Sequence, residues 1–229
     1  MKHDISVFLK SLYRTQKVNR FGAWRMILRY QAACRTVFPP RKTVWGKFYN
    51  EPRGAYIHKA LAEHLQAKQF SFCCYCRDRI YHRKNSNIEH ILPIARYPMF
   101  AFEYKNLALA CVTCNALKSD KDYFRVAALN ANYTSNTFDC FHPSLHHYND
   151  HIDFVLFQTN HIYVRAFKSR TPLGDRLCVE HLKDVSIYNV KEQANPVVAG
   201  VVKKLGEFLN GKPGYENAFS ALKRLADNI

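Results

Sequence analysis

Two Cys-x-x-Cys pairs constrain this chain more than any other feature: Cys73 with Cys76, and Cys111 with Cys114, with 34 residues between the pairs. Two such turns supply the four soft ligands of a tetrahedral structural zinc, and their pairing argues against a redox dithiol. The gap exceeds that of a zinc ribbon, so it has to hold a folded insert. Within it, Ser86 to Ile91 reads as a short strand and Asn106 to Cys111 as a second. Thr113 is placed to cap a helix running through Leu117 to about Phe124. The order is strand, loop, strand, helix, with Pro93 and Pro98 stiffening the loop. Cys34, Cys74, Cys140 and Cys178 are left over, and packed thiols are expected of them. Cys74 could stand in for Cys73 as a ligand, but the i, i+3 spacing favours Cys73.

Composition bounds the rest. The 229 residues are 48% apolar, enough for a real core and too apolar for a disordered chain. No apolar run approaches the roughly 18 residues of a membrane span. Ile5 to Leu9 is too short for a signal peptide, so a cytoplasmic protein is expected, with reduced cysteines. The net charge is +16 and uneven: residues 1–72 carry +11, residues 73–123 carry +3 and the remainder +2. Such a basic third suits a polyanion, and nucleic acid is the expected partner.

Three regions follow: a basic helical segment at 1–72, the cysteine-framed core at 73–124, and an extension at 125–229. Residues 1–35 predict two helices breaking near Asn19 and Gly22, and Phe38 to Lys42 reads as a basic loop. Trp45, Phe48 and Tyr49 interleave with Lys42, Lys47 and Arg53; packing into a core is favoured over base stacking for them. Ile57, Leu61 and Leu65 predict a helix over Ala55 to Ala67. His142, His146, His147 and His151 crowd one stretch without a ligand spacing, so surface or hydrogen-bonded roles are expected. Ile152 to Phe157 and Ile162 to Phe167 read as a β-hairpin, followed by three helices from Asp175 onward. The fold class is α+β.

The chemistry concentrates in the insert. A phosphodiester hydrolase needs a base for water, a hard cation at the scissile oxygens, and something to hold the base still. His90 is the neutral-pH base on the first predicted strand of the insert. Glu89 is a hard oxygen ligand, Asn115 can add its amide oxygen, and Asn106 is placed to fix a loop or orient the imidazole. Strand alternation sends Glu89 and His90 to opposite faces, unless the strand's end turns enough for both to approach one phosphate.

Glu89-His90-Ile91-Leu92-Pro93, then Asn106-Leu107, then Cys111-x-x-Cys114-Asn115-x-x-Lys118, resembles the ββα-metal core of HNH endonucleases, in their zinc-stapled branch. The resemblance implies His90 as general base, Glu89 and Asn115 as ligands of one Mg2+ or Mn2+, Asn106 supporting the base, and Cys73, Cys76, Cys111 and Cys114 holding zinc. Glu89 stands where Asp is usual, and Asn115 where some branches have His. Lys118, Arg96 and Lys121 are candidate phosphate contacts, and DNA is expected over RNA. A weaker resemblance, carried by Ile88-Glu89-His90 and His142-Pro143, is to HNH partners of ATPases in retron- and Septu-type antiphage systems. It implies a defence role and an ATPase partner. The alternative is a zinc-stapled nucleic-acid-binding or recruiting module, active only in complex with another protein.

Overall fold

The computed structural model describes residues 20–36, 42–124, 129–158 and 163–186. The chain divides into two compact units, one running to Phe138 and including His142–Leu145, the other made of Asp139–Phe141 and the chain from His146. The architecture is α+β, with two separate antiparallel hairpins, and no helix of the described residues is long and apolar enough to cross a membrane.

In the first unit, three helices precede the cysteine frame: α1 (Arg20–Thr36), α2 (Lys42–Asn50) and α3 (Pro52–Lys68). Proline at its first turn starts α3, where a missing N–H costs nothing. Gly54, Ile57, Leu61 and Leu65 form its buried stripe at helical spacing. Gly54 has to be glycine, because a Cβ there would sit 1.7 Å from the carbonyl oxygen of Phe48. That absence lets α2 and α3 pack tightly, with Phe48 buried between neighbours. Arg29 and Tyr30 of α1 both reach Glu51, each at 2.6 Å, and tie α1 to the α2–α3 corner. The first predicted helix, before Asn19, and the Phe38–Arg41 part of the predicted loop lie outside the described residues.

The core hairpin is β1 (Ser86–His90) with β2 (Leu107–Cys111), and α4 (Val112–Lys118) follows directly. Its register pairs Ser86 with Cys111, Glu89 with Ala108 and His90 with Leu107. Leu107 to Ala110 are all buried, so both faces of β2 are covered. Its outer edge is closed by a side chain: the Gln69 amide donates to Leu109 O at 2.9 Å and accepts from Leu109 N at 2.7 Å. This mimics a strand and leaves no open edge there. Thr113 is not the helix cap: the Cys111 sulfur accepts from Cys114 N instead, and α4 stops at Lys118, well short of Phe124.

In the second unit, β3 (Ile152–Gln158) pairs antiparallel with β4 (Tyr163–Ser169), as the alternation predicts. Thr171 caps α5 (Pro172–Leu177), which continues through a π turn to residue 186. Leu177, Leu182 and Val185 are buried along it, and Arg176 pairs with Asp139 at 2.8 Å. The two later predicted helices lie outside the described residues.

Candidate active site

The four framing cysteines converge. Their sulfurs all lie within 4.8 Å of one another, and Cys76 and Cys111 are 3.8 Å apart. Zinc–sulfur bonds of about 2.3 Å in a tetrahedron require sulfur separations of about 3.8 Å, so the geometry fits zinc. Backbone N–H groups point at the sulfurs as they would at thiolates: Cys111 N to Cys73 Sγ at 3.3 Å and Cys114 N to Cys111 Sγ at 3.4 Å. Burial opposes ionisation of Cys73, but hydrogen bonds from the neighbouring thiols outweigh it and hold its pKa well below the usual value. Burial pushes Cys114 well up. Four packed thiols cannot all ionise without a counter-charge, which a divalent ion supplies. Cys74 is buried with its pKa raised by burial, an inert thiol beside the cluster.

Both candidate chemical groups of β1 are buried, Glu89 at 4% and His90 at 8% exposure. The possible turn at the strand's end does not occur. β1 keeps its pairing through His90, so alternation holds and the two side chains leave on opposite faces. The His90 imidazole places Nε2 2.9 Å from Ala101 O. A carbonyl can only accept, so Nε2 carries the proton and Nδ1 keeps the lone pair. The Trp45 indole of α2 stands edge-on against this ring, with centroids 4.6 Å apart. Burial pushes the His90 pKa down to about 3, with Lys118 and His58 adding to the shift. His58, beside Trp45, is likewise pushed down to about 4 by burial. No contact among the described residues joins the His90 ring to Glu89 or Asn115.

Glu89 faces α4 instead. Its Oε1 lies 2.5 Å from Lys118 Nζ, which also donates to the main-chain oxygen of His90 at 2.9 Å. Burial raises the Glu89 pKa, and the ammonium beside it works in the opposite direction. Lys118, expected to meet phosphate, is 0% exposed and spent on these two oxygens, fastening α4 to the end of β1. Sequence reasoning missed this because nothing in an Asn-x-x-Lys spacing says which way the lysine folds. Arg96 is exposed and ion-paired to Asp122 at 3.1 Å, and Lys121 is exposed. Asn115 is half-buried on α4, and its side-chain amide makes no hydrogen bond among the described residues.

Asn106 is the hub of the turn behind His90. Its Oδ1 accepts from Leu92 N at 2.7 Å and from the Tyr133 hydroxyl at 2.9 Å. Its Nδ2 donates to Leu92 O and to Phe100 O, both at 3.1 Å. All four hydrogen-bonding positions of the amide are thereby used. One arm holds the turn after His90, and the other holds the residue before Ala101, whose carbonyl receives the imidazole. Behind Tyr133 stands His142, 0% exposed, with Nε2 2.7 Å from the hydroxyl. Ser144 N donates to His142 Nδ1 at 3.2 Å, so the His142 proton lies on Nε2 and the chain runs His142 to Tyr133 to Asn106. Tyr133 carries no signal in the sequence, and His142 stands out there through the histidine-rich stretch and the His142-Pro143 pair, neither of which points to Asn106.

The family model of the HNH endonuclease matches residues 73–121. Residues 73–121 form an HNH endonuclease domain. The match begins at Cys73 and ends three residues past Lys118, so it takes in the four-cysteine frame, β1, β2 and α4. No curated protein and no solved structure matches the chain. Tyr133 and His142, which brace Asn106, lie outside the HNH match. Nucleases of this type use divalent metals. Glu89 and Asn115 would offer one carboxylate and one amide oxygen, donors of the kind Mg2+ takes. Among the described residues, however, the side chains that converge on a metal-sized site are the four cysteines. Glu89 can serve Mg2+ only by sharing its carboxylate with Lys118 or yielding it.

Proposed function

We propose that this HNH domain hydrolyses phosphodiester bonds in DNA, with His90 Nδ1 as the base that takes a proton from the attacking water. The observation that carries this reading is the imidazole itself. Its Nε2 proton is fixed on the Ala101 carbonyl, which leaves the other nitrogen bare, and the segment on which it sits matches the HNH endonucleases. In-line displacement puts the attacking water and the departing oxygen on opposite sides of phosphorus. Glu89 and His90 leave β1 on opposite faces, so bringing both to one phosphate requires the end of β1 to turn when substrate binds. A divalent ion held by Glu89 and Asn115 would supply Lewis-acid stabilisation of the phosphate and of the leaving 3′ oxygen, giving 5′ phosphate and 3′ hydroxyl ends.

The basic helical region would add salt-sensitive, sequence-independent affinity. The test is plasmid cleavage with Mg2+ or Mn2+, comparing wild type with His90→Ala. Loss of about a hundred- to ten-thousandfold is expected from removing a general base. Equal cleavage by the two proteins ends the assignment.

A second reading has its own support. His90 lies beneath Trp45 at 8% exposure, where water has little access. That favours a chain inert by itself and active once a partner or a nucleic acid strand displaces the indole. The ATPase partner and defence role implied by the sequence belong to this reading. It expects no scission from the isolated chain and scission on adding the partner in the same assay.

A further inference from the structure

The outer face of the first cysteine turn carries a ladder of alternating cations and rings. The Arg77 guanidinium lies over the Phe72 ring at 4.9 Å, and Arg79 lies 5.9 Å from the same ring on its way to Tyr81, at 5.7 Å. Phe72 and Arg77 flank Cys73 and Cys76, so the ladder is built on the zinc-binding turn. The backbone beneath it is fixed. Phe72 bridges Arg79, Ile80 N donates to Ser71 O at 2.7 Å, and Cys73 N donates to Asp78 O at 2.8 Å. The Gln66 amide adds a bond to Ile80 O at 3.0 Å.

Two aromatic rings here remain in water, Tyr81 at 76% and Phe70 at 78% exposure. Rings that bury so little contribute little to the fold, and large exposed aromatics grouped on a rigid turn point to a surface that is covered by something else. The surrounding charge says what. Arg77 and Arg79 belong to the ladder, the next turn brings Arg-Lys at 83–84, and the Asp78 carboxylate is turned back onto Arg79 N at 2.9 Å.

We propose that this face, centred on Phe72, Arg77, Arg79 and Tyr81, binds single-stranded nucleic acid, with an unpaired base stacked on Tyr81 and phosphates on the two guanidiniums. Stacking needs a free base face, which a duplex does not offer along its length. The ladder also holds the guanidiniums before any ligand arrives, so less side-chain freedom is lost on binding. The inference rests on the nuclease reading only in taking nucleic acid as the substrate class.

The test uses the zinc-loaded full chain without added Mg2+, and fluorescence anisotropy with a labelled oligothymidylate and a labelled duplex of equal length. Tyr81→Ala is expected to weaken single-strand binding by about five- to a hundredfold, leaving duplex binding and zinc content unchanged. Tyr81→Trp should retain it. Arg79→Gln should lower the salt slope on the single strand by roughly 0.7. Tyr81→Ala binding the single strand as tightly as wild type, or losing duplex and single strand alike, overturns the proposal. Scission by wild type together with unaltered binding by Tyr81→Ala would leave the nuclease reading standing and remove this surface. Tyr81-dependent binding without scission under any condition would do the reverse.

Discussion

A single amide organises the neighbourhood of His90. Asn106 is fully buried and has no unused donor or acceptor, a condition under which a buried polar group stabilises rather than costs. Its dependence on Tyr133 makes the arrangement vulnerable from outside the matched segment. Tyr133→Phe keeps the ring but strips the hydroxyl, leaving the His142 Nε2 proton and one Asn106 lone pair without that partner. Loss of about 1–3 kcal/mol is expected, read as a shift of the denaturant midpoint at unchanged m-value. If Asn106 is held through this chain, cleavage should fall through kcat with KM retained. Unchanged stability and kinetics in Tyr133→Phe would show that the hydroxyl is dispensable. Lys118 is the other residue with a role set by its surroundings. A fully buried ammonium between a carboxylate and a carbonyl is a fastener, and solvent-exposed phosphate cannot reach it without rearrangement.

At the scale of elements, the hairpin β1–β2 presents two unlike faces. One meets α4, where Lys118 takes Glu89. Toward the other, α2 sends Trp45 against His90, Phe48 and Phe102. The indole therefore does two jobs: it fills space between aromatic rings and it covers the candidate base. Trp45→Ala should separate them. A stability loss toward the lower end of roughly 3–5 kcal/mol is expected from the removed ring, since Trp45 is half-buried. If the indole limits access, the isolated chain should cut plasmid faster than wild type despite that loss. Slower cutting by a variant shown to be folded would assign Trp45 to substrate contact or to support of the base instead.

On the scale of the whole molecule, the matched domain is small and its order is staked on the cysteine cluster. Structural zinc sites contribute an apparent 10–16 kcal/mol, comparable to the 5–15 kcal/mol by which whole domains are stable. About one zinc per chain is expected on elemental analysis. Chelation should abolish the cooperative thermal transition of the HNH domain, and added zinc should restore it. A metal-free chain melting at the same temperature would remove the cluster from the account of the fold. The packed aromatics of the β1–β2 loop, Tyr97, Phe100, Phe102 and Tyr104, are all buried, yet they belong to a connection without long regular structure. Such a loop depends on its ends being held, which the His90–Leu107 pairing and the Asn106 amide do.

Much of this was readable along the chain. The strand positions, α3, the β3–β4 hairpin and the ligand cysteines follow from alternation, helical spacing and the Cys-x-x-Cys turns. Each of those signals acts within a few residues and so survives without knowledge of the packing. Thr113 does not cap α4 because the helix already begins at Val112, with the Cys111 sulfur accepting from Cys114 N, a start set by the cysteine cluster rather than by local propensity. The pairs that shape the site join residues far apart: Lys118 with Glu89, Trp45 with His90, Tyr133 with Asn106, Gln69 with Leu109. No spacing encodes such partners. Which buried lysine meets which carboxylate, and which ring covers a histidine, is settled only when helices and hairpin close on one another and every buried polar group must find its complement.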